Sequence, residues 1–229
     1  HLTDLCHDLI DIPDQTGAIM VTGLAVDSKR VSAGNLFFAF AGSHRDGRDF
    51  IDVAIKAGAA AVVTGMAPLA NDIAKLAQQA AIPILQYENP RRIMAKMAAI
   101  HWPSQPGMVA AVTGTNGKTS TTEFLRQLWQ RATWQAIAVG TLGITGTDMI
   151  KSDGALLSLP PLTTPDSISL HATLAPLTKA GVTHLALEAS SHGLEQHRLD
   201  GLNIHIAAFT NLSRDHLDHH IDMDRYFAA

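Results

Sequence analysis

The chain alternates between two patterns of hydrophobic and polar positions. Short apolar runs bounded by glycine, proline or polar residues predict buried strands, and stretches with apolar residues three and four apart predict helices. The predicted strands are 18–21, 36–40, 60–63, 82–85, 108–113, 136–139, 184–187 and 204–210, and the predicted helices are 50–57, 72–80, 91–101, 119–131 and 166–180. Such alternation is typical of an α/β fold with a mostly parallel sheet.

A proline-rich segment divides the pattern into two parts. Residues 102–107 read Trp-Pro-Ser-Gln-Pro-Gly, which cannot continue a helix. We therefore predict an N-terminal α/β domain over residues 1–105 and a second α/β domain, with a mostly parallel sheet, over residues 106–229. The helix predicted over 119–131 carries Phe124, Leu125, Leu128 and Trp129 at helical spacing, and we expect this stripe to be core.

Composition narrows the class of protein. The 229 residues are 46% hydrophobic and 17% charged, as in an ordinary globular protein. A formal net charge of −4 provides no broad positive field for nucleic acid or anionic lipid, so we expect neither as a partner. The most apolar stretch, 54–66, is interrupted by Lys56, Gly58 and Gly65 and is too short to span a bilayer. Cys6 is the single cysteine, which fits a reducing compartment, and cytoplasm is the expectation.

A glycine turn lies between the strand 108–113 and the helix that follows. It reads Gly114, Thr115, Asn116, Gly117, Lys118, Thr119, in the order of strand, turn and helix start that a phosphate-binding loop requires. Backbone N–H groups and the helix N-terminus can receive phosphate oxygens, Lys118 can neutralise them, and the Thr119 hydroxyl can bind Mg²⁺. The strict motif is not met, because Val112 stands where its first glycine belongs. The alternative is an ordinary turn with an exposed lysine.

Carboxylates and histidines follow two later strands. Glu188 directly follows the strand predicted over 184–187, at the edge of the sheet where it can reach the same Mg²⁺ as Thr119. The alternative is that Glu188 is a turn or helix-capping carboxylate. The segment 211–220 is dense in histidine, but it lacks the cysteines or the His-Glu-x-x-His spacing of zinc sites. An oxygen-preferring metal with one histidine ligand is favoured over structural zinc. We expect His219, His220, Asp222 and Asp224 to form a solvated face and a helix start.

The segment 190–198 contains serine and histidine, but it lacks the Gly-x-Ser-x-Gly elbow of a hydrolase. Hydroxyls, an amide and a guanidinium after a strand better suit recognition of a polar anionic substrate. A regulatory GTPase is disfavoured because the guanine-reading Asn-Lys-x-Asp motif is absent from the sequence.

Together these motifs resemble the Mur ligase family, and within it the MurE type. The resemblance rests on the order and spacing of six segments, and it covers nearly all of the chain and about the first half of a typical member. The segments are 26–30 (Val-Asp-Ser-Lys-Arg), 46–48 (Asp-Gly-Arg), 114–119, 163–165 (Thr-Thr-Pro), 188–198 and 210–218.

The resemblance implies a UDP-sugar-binding domain over 1–105 and a partial P-loop-type ATP-binding domain over 106–229. It also implies a role for each matching residue. Residues 114–119 would hold ATP, with Lys118 on the phosphates; Thr119 and Glu188 would hold one Mg²⁺ and His216 a second. Ser28, Ser43, His44 and Arg45 would contact the UDP end of the substrate. The muramoyl-dipeptide would be bound by Thr163, Thr164, Ser190, Gln196 and Arg198.

The activity implied is ATP-dependent amide formation, in which a diamino acid is added to UDP-N-acetylmuramoyl-L-Ala-D-Glu through an acyl phosphate. Lys118, Glu188 and His216 would carry the chemistry, and no obligate protein partner is indicated. The sequence departs from the family at Leu162, where some members have asparagine. The family also has a lysine just beyond the position of Ala229, so we expect these 229 residues alone to be inactive. Alternatives are a non-catalytic nucleotide-binding fragment, another Mur ligase, or a folylpolyglutamate synthase-like enzyme.

Overall fold

A computed structural model describes residues 1–7, 9, 12, 16–42, 45–149 and 159–229. The chain divides into two compact units, His1–His101 and Trp102–Ala229. The boundary predicted after residue 105 lies four residues beyond this division, within the same proline-rich segment. Among the described residues, none of the helices combines the length and the apolar character needed to cross a membrane.

The first unit is built on a four-stranded parallel sheet in the order β1-β2-β3-β4. Single-turn 3₁₀ helices at Ser28–Arg30 and Gly47–Phe50 precede β2 and α2 respectively. The elements are α1 Leu2–Cys6, β1 Gly23–Ala25, β2 Asn35–Ala39, α2 Ile51–Lys56, β3 Ala61–Gly65, α3 Asn71–Gln79, β4 Ile84–Tyr87 and α4 Pro90–His101.

The strand predicted over residues 18–21 is wrong, because the first strand is β1, five residues later. Leu24 and Ala25 are buried in β1 and pair with Leu36 and Phe37 of β2, whereas Met20 is 60% exposed. The apolar run at 18–21 therefore does not mark the segment that pairs with the sheet. Burial against β2 therefore determines which residues form the first strand and how they pair with β2.

The second unit is a five-stranded sheet in the order β7-β6-β8-β5-β9. All pairs are parallel except β6 with β7, which form an antiparallel hairpin. The elements are β5 Met108–Thr113, α5 Lys118–Arg131, β6 Ala136–Gly140, β7 Gly143–Thr145, a 3₁₀ turn Thr147–Met149, α6 Ser167–Lys179, β8 His184–Glu188, α7 Ser191–Glu195, β9 Ile206–Phe209, α8 Leu217–His220 and α9 Met223–Ala228. The predicted α/β fold with a mostly parallel sheet is confirmed.

The core of this unit lies on both faces of β5, β6 and β8. Continuous apolar runs form these strands because each face is covered, as expected for parallel strands. One face packs against α6 through Leu170, Leu174 and Leu177, and the other contacts Trp129 of α5. The stripe predicted on α5 is only half correct: Trp129 is buried and Leu125 half-buried, but Phe124 and Leu128 are 64% and 63% exposed.

Parallel strands bring their carboxyl ends to one edge of the sheet. The ends of β5, β6, β8 and β9 therefore converge, and each is followed by a polar segment: Gly114–Thr119, Thr141, Ser190–Arg198 and Thr210–Asp218. This edge is where the sequence predicts the chemistry of the second unit.

Candidate functional site

The glycine turn after β5 ends at the N-terminus of α5. Gly117 is the N-cap residue, with a left-handed φ of 87°, and as a glycine it has no side chain with which to cap the helix. The first N–H groups of a helix have no partner within it, so those at the start of α5 can receive an anion. This arrangement is what the sequence predicts for a phosphate-binding loop.

The turn is held by the segment after β9. The N–H of Thr115 donates to the Asn211 carbonyl at 2.9 Å, and the N–H of Asn116 donates to the Asn211 side-chain oxygen at 3.1 Å. The Thr210 hydroxyl donates to the Asn116 carbonyl at 2.7 Å. The N–H groups of Thr115 and Asn116 therefore already have hydrogen-bond acceptors. A phosphate would be received by the backbone at Gly117, Lys118 and Thr119, and not by the whole turn.

Lys118 folds back over the turn. Its ammonium donates to the carbonyls of Gly114, at 2.6 Å, and Thr115, at 2.9 Å. The side chain is half-buried, which disfavours the alternative of an incidental exposed lysine. These carbonyls hold the charge at the mouth of the turn, beside the open helix N-terminus.

Glu188 ends β8 and is 2% exposed. One carboxylate oxygen accepts from the Thr141 N–H at 2.9 Å, and the other accepts from the Thr141 hydroxyl at 3.2 Å. A Cβ at Gly140 would lie 2.0 Å from the first oxygen, so only glycine leaves room for the carboxylate. Among the described residues no lysine or arginine forms an ion pair with Glu188. A buried carboxylate without a cationic partner is a fit for a metal ion.

A cavity of about 250 Å³ opens beside these groups. Its lining contains six of the residues that the sequence predicts for the site: Lys118, Thr163, Thr164, Ser190, Arg198 and His216. Leu162, Ser191, His192 and Tyr226 complete the wall. The other predicted residues of this unit, Gly114 to Gly117, Thr119, Glu188 and Gln196, do not line it.

Thr164 organises the polar wall of this cavity. Its hydroxyl donates to the Glu188 carbonyl at 2.8 Å and accepts from the Ser190 N–H at 2.8 Å. Arg198 donates to the Thr164 carbonyl at 2.5 Å and to the Gln196 side-chain oxygen at 3.0 Å. Burial lowers the pKa of Arg198, and Asp166 partly offsets this. Gln196 thus positions the guanidinium and does not face the cavity.

Histidines gather on the other side of the cavity. The His192 ring lies 5.2 Å from that of His216 and 4.0 Å from that of His219. Burial is the main cause that lowers the pKa of His192, and the neighbouring histidines lower it further. The prediction of a solvated face is correct for His219 but wrong for His220, which is 4% exposed and stacks on Tyr226. Asp222 is the N-cap of α9, as the expected helix start requires.

The residues predicted for the UDP end lie in the first unit. Ser28 is half-buried at the start of a 3₁₀ turn that the Asp27 side chain caps. Arg45 is exposed, and its carbonyl accepts from the Gly42 N–H at 2.8 Å. Ser43 and His44 lie outside the described residues. The contacts of all four with a nucleotide sugar remain predictions.

Several residues of the site were not among those predicted from the sequence. Thr141 follows β6, so the rule that placed Glu188 at a strand end would also have found it. Tyr226 had no such signal, because its position depends on α9 returning to the turn, where its hydroxyl lies 3.1 Å from that of Thr115. Ser191 and His192 lie inside the segment 190–198, within which sequence pattern alone does not separate wall residues from their supports.

Family profiles match both parts of the chain. Residues 112–229 match the Mur ligase middle domain, and residues 20–102 match the Mur ligase family catalytic domain. A match over more than half of the sequence places it plainly: the chain belongs to the Mur ligase family.

Among curated proteins, the chain is similar to ligases of one name. The UDP-N-acetylmuramoyl-L-alanyl-D-glutamate–2,6-diaminopimelate ligase of Bradyrhizobium diazoefficiens is 45% identical over 100% of this chain and 44% of its own length. The ligase of the same name from Caulobacter vibrioides is 41% identical, over 100% of this chain and 45% of its own. The chain therefore spans less than half the length of these relatives.

Solved structures agree with the fold. A ligase of the same name superposes with a TM-score of 0.77 at 31% identity, over 98% of this chain and 42% of its own. The MurF ligase from Thermotoga maritima, solved in complex with ADP, gives a TM-score of 0.54 at 22% identity, over 95% of this chain and 43% of its own. The second similarity concerns the fold alone.

Proposed function

We propose that this chain forms the nucleotide-sugar-binding and ATP-binding portion of a MurE-type ligase. The reaction is addition of a diamino acid to UDP-N-acetylmuramoyl-L-Ala-D-Glu with consumption of ATP. The names of the relatives, all diaminopimelate ligases, support diaminopimelate as the amino acid. The expected place of work is the cytoplasm, where nucleotide sugars and ATP are available.

One observation carries the proposal. A single cavity brings Lys118, the expected phosphate-binding cation, to the same wall as the hydroxyls and the guanidinium expected to bind the muramoyl-dipeptide. An ATP-driven ligase requires this juxtaposition, because the γ-phosphate and the substrate carboxylate must meet. A protein that only stored either ligand would not need both in one cavity.

The residues present fit magnesium. Glu188 supplies a buried carboxylate, Thr119 a hydroxyl at the helix start and His216 an imidazole on the cavity wall. Oxygen donors are the ligands that Mg²⁺ prefers. We propose that Thr119 and Glu188 hold one ion and that His216 contributes to a second. Bound there, Mg²⁺ would neutralise phosphate charge.

The protein's task is to bring two anions together. The γ-carboxylate of D-glutamate attacks the γ-phosphate of ATP, which gives ADP and an acyl phosphate; the amine of the diamino acid then displaces phosphate. Lys118 would exchange the loop carbonyls for phosphate oxygens, with the N–H groups of α5 as further donors. Arg198, already oriented by Thr164 and Gln196, is placed to bind a carboxylate of the dipeptide.

The test is phosphate release by the full-length protein supplied with ATP, UDP-N-acetylmuramoyl-L-Ala-D-Glu and meso-diaminopimelate. We expect release only when all three are present. Lys118→Ala should lower kcat/KM at least about a hundredfold, because one preorganised charge contact to the transition state is lost. Lys179→Ala, at an exposed lysine ending α6, is the matched control and should leave the rate unchanged.

Other outcomes would contradict the proposal. Phosphate release that ignores the muramoyl-dipeptide, or that needs a folate and glutamate instead, would identify a different ligase of the wider group. Tight binding of ATP and UDP-sugar by the full-length protein without any turnover would also contradict the ligase proposal.

A further inference from the structure

A second group of metal-binding side chains lies beside the cavity, in the same unit. Glu195 ends α7, and His219 and His220 end α8. One potential ligand atom from each lies within 4.8 Å of the other two. His219 Nε2 is already 2.6 Å from a Glu195 carboxylate oxygen. None of the three is among the residues proposed above for magnesium.

The backbone around α8 holds both histidines in place. The helix is preceded by His216 and followed by Ile221, and both are left-handed, with φ of 51° and 73°. A β-branched residue rarely adopts this conformation, so the turn is maintained against a local cost. It points two consecutive imidazoles toward α7 from one short helix.

Neighbouring side chains support the two rings from outside the group. His220 is buried, stacks on Tyr226, and has its Nε2 2.9 Å from the Ser191 hydroxyl. His192 stacks on His219 at 4.0 Å between ring centroids. For His220, the hydrogen bond of Nε2 to Ser191 fixes the tautomer and leaves Nδ1 as the ligand, which is the usual arrangement around metal-bound histidine. His219 is oriented by its stack on His192.

The donor set selects the class of metal. Two imidazoles and one carboxylate suit borderline transition ions, whereas Mg²⁺ and Ca²⁺ prefer oxygen. Two histidines and a glutamate form a known three-ligand zinc arrangement that leaves a fourth position for water. We propose that Glu195, His219 and His220 form a binding site for a divalent transition metal of the Zn²⁺ class. Binding of the ion would replace the direct contact between His219 Nε2 and the Glu195 carboxylate.

The proposed zinc site is distinct from the magnesium site in ligands and chemistry. It is connected to the cavity through Ser191, which contacts His220, and through His192, which stacks on His219; both line the cavity wall. An ion at the zinc site would fix α7 against α8 and so reduce the freedom of that wall.

The experiment is calorimetric titration of the 229-residue chain with ZnCl₂, and with MgCl₂ in parallel. We expect one Zn²⁺ per chain, and no displacement of Zn²⁺ by millimolar Mg²⁺. Glu195→Gln and His219→Ala should each weaken Zn²⁺ binding by about tenfold or more, since each removes one of three ligands. Both positions are exposed, so both variants should fold, which circular dichroism would verify.

Matched control variants distinguish Zn²⁺ binding at the proposed site from nonspecific binding of Zn²⁺ by exposed side chains. Asp218→Asn removes an exposed carboxylate from α8, and His205→Asn removes an exposed imidazole elsewhere in the unit. Both should bind Zn²⁺ like the unaltered chain, as should His216→Ala. The proposal would be overturned if the chain bound no Zn²⁺ at concentrations up to about 100 µM, or if the control variants lost as much Zn²⁺ affinity as Glu195→Gln and His219→Ala. It would also be overturned if His216→Ala lost Zn²⁺ affinity and His219→Ala did not.

Discussion

At the scale of single residues, three described residues have buried side-chain nitrogen or oxygen atoms without a hydrogen-bond partner: Thr64 in β3, and Ser167 and His171 in α6. Ser167 Oγ and both ring nitrogens of His171 are buried without a hydrogen-bond partner. Burial lowers the pKa of His171 to about 4. The neutral ring is therefore the form present in the folded chain at neutral pH, and protonation at low pH must oppose folding.

This gives a prediction for acid stability. The pKa of His171 is near 6.5 when unfolded and about 4 when folded, so the unfolded chain binds more protons between these values. The contribution of the neutral His171 ring to the free energy of unfolding is fully present above pH 6.5 and is lost as the pH falls toward 4. At pH 5 the loss is about 2 kcal/mol. Denaturant unfolding at pH 7.5 and pH 5 measures it.

His171→Leu is the variant that isolates this histidine. We expect it to remove about 2 kcal/mol of the pH dependence. His205→Asn, at an exposed position, should retain the dependence of the unaltered chain. An unchanged pH dependence in His171→Leu would show that His171 is not the group being protonated.

At the scale of elements, the three-residue strand β7 depends on side chains of α5. Thr145 donates its hydroxyl to a Glu123 carboxylate oxygen, and Arg126 donates to the other oxygen at 2.8 Å. Arg126 also donates to Gln130 at 2.6 Å, and the Gln130 amide donates to the carbonyls of Ala136 and Gly146. The hairpin of β6 and β7 is thereby attached to the helix that begins at the phosphate turn.

Removing Glu123 tests this attachment. Glu123 and Arg126 side chains are 18% and 14% exposed, so Glu123→Ala leaves a largely buried guanidinium and a hydroxyl without their acceptor. We expect a loss of about 1–3 kcal/mol of unfolding free energy. Amide hydrogen exchange should also accelerate at Ile144 and Thr145. Gln127→Ala, at an exposed position of α5, should change neither; equal effects from both would refute the attachment.

The elements differ in how well sequence predicts them. Strands such as β5 and helices such as α5 were found because burial on both faces, or on one stripe, leaves a period in the sequence. β7 and α8 leave no period, since three or four residues are fixed by contacts from elsewhere. The helical spacing of Phe124 and Leu128 shows that they share a face of α5, but it does not show whether another element covers that face. Both side chains are in fact exposed.

The candidate site follows the same division. The position of Glu188 was predictable because it ends a strand of an α/β sheet, and that of Lys118 because the glycine turn after β5 leads into a helix. The satisfied N–H groups of Thr115 and Asn116 were not, since their acceptor at Asn211 is almost a hundred residues away. The grouping of Glu195 with His219 likewise required the fold.

At the scale of the whole molecule, the second sheet has an open edge. β9 pairs with β5 on one side, and among the described residues no strand pairs with its other side. Ile206 and Phe209 are 48% and 55% exposed there, and Phe227 of α9 is 69% exposed with its ring 6.4 Å from that of Phe209. An exposed apolar edge strand is a template for pairing with another chain.

We therefore expect the 229-residue chain to self-associate with rising concentration, through the edge of β9. Phe209→Lys should weaken association, because an outward charge on an edge strand disfavours pairing. Analytical ultracentrifugation over a range of concentrations gives the dissociation constant, which should rise by about tenfold or more, equivalent to 1.4 kcal/mol. Phe124→Lys is the matched control, since Phe124 is at least as exposed as Phe209 but lies on α5. If Phe124→Lys relieves association and Phe209→Lys does not, the helix face and not the strand edge drives it.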